Sequence, residues 1–155
     1  MAETSHDTRT LNDLIATVID SVDGYTESAK DVGSPRFKDL FLARAGERRE
    51  VADRLRTQVS ALGGNPEDDG TILAAGHRAF VNLKSAVTGK DDKAIVAEVE
   101  RGEDHLKAKF EDALKDDNLS ASVRESIQSA WSSVKQGHDE MSALKHSLEH
   151  GALSE

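Results

Sequence analysis

Apolar residues in this chain recur in steps of three and four, and that spacing commits most of it to helix. Leu11, Leu14, Val18, Val22, Tyr25 and Ala29 form one row, and Phe37, Leu40, Phe41, Val51, Leu55, Val59 and Leu62 a second. A third row runs through Val96, Val99, Leu106, Phe110 and Ala113. A fourth runs through Val123, Ile127, Ala130, Val134, Met141 and Leu148. An α-helix turns once in ~3.6 residues, so each row is a stripe on one helix face, whereas a strand would alternate in twos. Each stripe needs another to bury it, and the predicted class is all-α, a four-helix bundle.

Breaker residues divide the rows. In Asp31-Val32-Gly33-Ser34-Pro35, Gly33 suits a left-handed helix end, Ser34 an N-cap and Pro35 a first helical position. So short a connection makes the first two helices antiparallel neighbours. Gly63-Gly64-Asn65-Pro66 ends the second helix, Asp91 or Asp92 caps the third, and Lys115-Asp116-Asp117-Asn118 separates it from a fourth opened by Ser120. Two helical hairpins, 10–62 and 92–149, result. Ile72, Leu73, Phe80, Leu83 and Val87 predict a further helix over 71–87, roughly 25 Å long. A long crossover between two hairpins is ferritin-like connectivity. Residues 1–8 carry no period and read as a flexible tail, 9–149 as a single domain and 150–155 as a second tail.

Composition narrows the function. The 155 residues fit one domain, and the absence of cysteine excludes disulfides, thiolate metal sites and thiol catalysis. A formal net charge of -9 argues against binding to nucleic acid. No apolar run approaches the roughly 20 residues that span a bilayer. The polar start Met1-Ala2-Glu3-Thr4-Ser5-His6-Asp7 lacks the features of a signal peptide, so the cytoplasm is the expected compartment and no membrane partner is expected. There is no phosphate-binding glycine loop, nucleophile elbow or His-Glu-x-x-His pair, and no catalytic residue is assigned.

The informative residues are polar groups on or beside the apolar stripes. Glu103 fills a core step of the third helix. Glu47 and Glu50 stand one turn apart on the second, Asp23 ends the row Ile15, Ile19 on the first, and His138 interrupts the fourth. With turns at opposite ends of the bundle, a rise of ~1.5 Å per residue brings Asp23, Glu47, Glu103 and His138 to about one level. Carboxylates with an imidazole suit Fe, Mn or Zn. Ferritin-like di-metal sites use two Glu-x-x-His pairs, and the one such pair here is Glu3–His6, in the expected tail. A full di-iron oxidase site is therefore incomplete, which points away from an enzyme. Two readings stand: a single degenerate metal site from Asp23, Glu47, Glu50, Glu103 and His138, or an ion-pair layer in which Arg44, Arg48, Arg49 and Lys135 satisfy the same carboxylates. A third possibility is a homo-oligomeric or protein-interaction surface, with Leu42, Ile72 and Trp131 the residues to inspect.

The chain resembles a bacterial family of uncharacterised four-helix-bundle proteins of the ferritin-like superfamily. The likeness rests on Leu11-Asn12-Asp13-Leu14, Asp23-Gly24-Tyr25, Leu62-Gly63-Gly64-Asn65-Pro66-Glu67, His77-Arg78, Asn82-Leu83-Lys84 and Gly102-Glu103-Asp104. The resemblance implies the bundle with its crossover and directs attention to Asp23 and Glu103. It implies no activity, since the family is a domain of unknown function.

Overall fold

In the computed structural model, which describes residues 2–67 and 92–149, the four stripes are four helices. These are α1 (Ala2–Asp31), α2 (Pro35–Ala61), α3 (Asp92–Leu114) and α4 (Ala121–Glu149). The described residues contain no strand. The predicted helix over 71–87 and the tail 150–155 lie outside them.

Local chemistry sets the helix ends. Ser34 Oγ accepts the Phe37 N–H at 3.4 Å, and Pro35 opens α2 where a missing N–H costs nothing. At its far end Gly63 adopts φ 84°, the left-handed region that glycine enters without a Cβ clash. That reversal lets the Gly63 and Gly64 N–H groups bond the carbonyls of Ser60 and Val59. Gly64 also lies against α1, and a Cβ there would come within 2.6 Å of Thr8 Cγ2.

Two local expectations differ from the structure. Gly33 is not in the left-handed region; the N–H groups of Gly33 and Ser34 donate instead to the Asp92 carboxylate, at 2.7 and 3.0 Å. Asp92 therefore caps the α1–α2 turn from the start of another helix. Second, α1 begins at Ala2, so residues 2–8 are helical where a tail was expected. Apolar periodicity could not report this turn because polar groups hold it. His6 Nε2 lies 2.5 Å from the Asp116 carboxylate, and buried Asp7 accepts the Ser120 N–H at 3.0 Å.

These contacts define the topology. Asp92 places the start of α3 beside the α1–α2 turn, and Asp7 places the start of α1 beside the α3–α4 turn. Asn12 bonds the Asn65 carbonyl and the Glu67 N–H, tying the end of α2 to the first half of α1. α1 is thus antiparallel to both α2 and α3. α2 and α3 run in the same direction, so α2 ends at the opposite end of the bundle from where α3 begins. α1 packs on α2 and α3, α4 packs on α3 and α2, and α2 and α3 lie on the diagonal.

The interior is in two apolar parts. One cluster gathers Leu11, Ile15, Val18, Val51, Leu55, Leu106, Phe110, Ile127 and Val134. The other gathers Tyr25, Ala29, Phe37, Phe41, Val96, Val99 and Met141. Tyr25 and Phe41 meet there at a tilted 5.8 Å between ring centroids. Between the two clusters, on α2, α3 and α4, the sequence supplies arginine, glutamate and glycine.

Candidate functional site

The buried layer is built around one ion pair. Arg48 Nη2 donates to Glu103 Oε2 at 2.6 Å, with the two side chains 1% and 2% exposed. Either charge alone would be costly there, because an apolar interior solvates an ion poorly. The Arg48 guanidinium also lies 5.9 Å from the centre of the Tyr25 ring. Buried Arg44 reaches outward to Glu47 and Glu140. Gly137 leaves room beside the layer: a Cβ at this position would meet the end of the Arg48 side chain at Nη2 and stand 3.2 Å from Arg44 Cδ and Nε.

Burial pushes the Glu103 carboxyl above its usual range, with Arg48 opposing that shift. Burial, and then the charge of Glu103, drive the Tyr25 phenol well above its ordinary value. The Arg48–Glu103 contact holds the layer against that cost of burial.

A second group of ionisable residues lies along the α3–α4 seam beside this layer. Glu100 and Asp104 are one turn apart on α3, and His138 follows Gly137 on α4. One ligand atom from each lies within 4.8 Å of the others, the one such convergence among the described residues. His138 Nε2 is 2.6 Å from Asp104 Oδ1, and Nδ1 is 3.1 Å from Asp139 Oδ1. The His138 side chain is 12% exposed, Asp104 is 58% exposed, and Glu100 is nearly buried. Partial burial pulls the His138 pKa down. Hydrogen bonds to Asp104 and then Asp139 outweigh it, and the net shift is upward. Lys145 Nζ stands 3.6 Å from Glu100 Oε1.

The five residues singled out from sequence are thus distributed. Glu103 is in the core, as its place on the stripe predicts, and its partner is Arg48. Glu47 is half exposed and pairs with Arg44. Asp23 and Glu50 are exposed. His138 alone joins a convergent set, and its companions, Glu100 and Asp104, were not among the expected ligands. Their one sequence signal is a carboxylate pair spaced by four, which occurs on many solvated helices. The remaining Glu-x-x-His residue, His6, is engaged with Asp116 at the bundle end.

These features define an all-helical bundle with a buried Arg–Glu layer and a carboxylate–histidine cluster at its edge. The family model described as Domain of unknown function (DUF2383) matches residues 7–116, most of the chain, and the protein belongs to that family. The match takes in Arg48, Glu100, Glu103 and Asp104 and ends before α4, so Gly137 and His138 lie outside it. No curated protein matches the chain.

Proposed function

We propose that this protein is a non-enzymatic, ferritin-like helical bundle that holds one divalent transition-metal ion at Glu100, Asp104 and His138. The observation carrying the proposal is the convergence of those three ligand atoms within 4.8 Å from two adjacent helices. Two carboxylates supply hard oxygen ligands and balance a 2+ charge, while the single imidazole favours Fe, Mn or Zn over Mg or Ca. His138 Nε2 is the nitrogen on the side of Asp104. Asp139 on Nδ1 is the kind of outer partner that fixes ring orientation in metal sites. Of the five ligands expected from sequence, His138 stays in the assignment, and Glu103 serves as counterion to Arg48. The parallel course of α2 and α3 supports a ferritin-like crossover between them. Compartment remains as read from sequence, the cytoplasm. No helix among the described residues is long and apolar enough to cross a membrane.

Calorimetric titration of chelator-stripped protein with Mn2+ and Zn2+ tests the site. One equivalent is expected to bind, His138→Ala to weaken binding at least tenfold, and Glu47→Ala to leave it unchanged. Loss on Glu47→Ala would return the ligands to the Asp23–Glu47–Glu50 side of the bundle. Absence of binding by the wild type would remove the metal from the proposal.

An interaction surface is the second reading, favoured by Leu42, a large apolar side chain 46% exposed on α2. On α4, an open surface groove of about 520 Å3 is lined by Trp131, Lys135, Gln136 and Ala143 among others. Light scattering across a concentration series checks it, with a monomer throughout counting against self-association.

A further inference from the structure

Glu100 contributes its carboxylate from the nearly buried side of the cluster, and the cation already beside it is Lys145. Lys145 comes from α4, two turns beyond His138, and its side chain is about one-third exposed, so the ammonium reaches back along the seam to the carboxylate. A second ammonium, Lys107, acts electrostatically on His138 from one turn beyond Asp104, while pairing with Glu111 at 3.8 Å. The ligand set therefore meets positive charge from two lysines.

We infer that Lys145 is a resident counter-cation of the metal site, which occupies Glu100 when the metal is absent and sets the affinity by competing with the incoming ion. This rests on the metal reading of Glu100, Asp104 and His138. A divalent ion at those ligands takes an oxygen of the same Glu100 carboxylate that Lys145 faces, and an ammonium held 3.6 Å from Oε1 of that group repels it. Metal loading is then a cation exchange. Lys145 must swing toward solvent, and its partial exposure together with its long, flexible stem permits that.

Loss of a pair with one partly exposed partner is worth roughly a fivefold effect, and relief of the repulsion adds to it. Lys145→Met is therefore expected to tighten Mn2+ and Zn2+ binding about tenfold. Lys145→Gln, which keeps a polar head without the charge, should do the same. Lys145→Arg, which keeps the charge, should stay within about threefold of wild type. Helix content and melting temperature of each variant report whether the bundle is intact, which separates charge from packing. Wild type that binds metal while Lys145→Met and Lys145→Gln bind it no more tightly would overturn the role of Lys145 and leave the site standing. Equal tightening by Lys145→Arg would overturn it too, since charge would then not be the cause. If wild type and all variants bind no metal, the site and the inference fall together.

Discussion

Arg48 and Glu103 illustrate how an ion pair can be essential without being an efficient source of stability. Removing one partner leaves the other charged in an apolar layer, and such truncations cost about 3–5 kcal/mol. Arg48→Ala and Glu103→Ala are each expected to lose stability on that scale by urea denaturation. Replacing both, as Arg48→Met with Glu103→Leu, should recover most of the loss, because neither residual charge remains to be solvated. Gly137 gives a sharper test. Helix-interior Gly→Ala changes ordinarily stabilise by about 0.5–1 kcal/mol. Gly46→Ala should follow that rule, since a Cβ there meets nothing within 4 Å. Gly137→Ala should reverse the sign and lower the melting temperature, because the new methyl displaces the Arg48 guanidinium from Glu103. Glu103 was legible from its place on the apolar stripe. Which basic residue it meets was not, because two helices on the diagonal of a bundle share no local sequence signal.

At the scale of elements, the four helices and three of their breaks were legible because stripe spacing, Ser34-Pro35 and Gly63-Gly64 are local chemistry. The cross-hairpin contacts were not. Asp92 and Asp7 each look like ordinary polar residues near a helix start, yet each caps the turn of the opposite hairpin. Asp116 completes the contact at the N-terminal end. Hydrogen bonding from the Asn118 N–H, and then from His6, holds its carboxyl below the usual range. A carboxyl with a lowered folded-state pKa contributes stability that is fully present above its unfolded value and lost as pH falls through the folded one. Urea midpoints of wild type and Asp116→Asn should accordingly differ by a constant amount at neutral pH and converge in acid, below about pH 4. A difference that persists unchanged in acid would mean that the Asp116 charge plays no part in holding α1 to the α3–α4 turn.

At the scale of the molecule, the charged layer divides the core, and the candidate metal cluster sits on the seam where that layer reaches the surface. The two are in register because Glu103 and Asp104 are sequence neighbours, as are Gly137 and His138. One member of each pair points inward to Arg48 and the other lies at the edge. The sequence located this level of the bundle by counting rise along each helix, and His138 with it. It did not separate inward from edge-facing carboxylates, since neighbours on a helix differ by ~100° and both can stand beside an apolar stripe about that wide. A metal bridging α3 and α4 would bind the folded bundle and not the unfolded chain, whose ligands are dispersed. Linkage then requires stabilisation of RT ln(1 + [L]/Kd), about 2.7 kcal/mol at a hundredfold excess of free metal over Kd. Thermal unfolding of the wild type should therefore shift upward with added Mn2+, by several degrees at that excess. His138→Ala, with binding weakened at least tenfold, should show at most about half of that shift at the same metal concentration. A shift that survives undiminished in His138→Ala would place the bound ion elsewhere on this acidic surface, and the α3–α4 seam would then be held by its ion pairs alone.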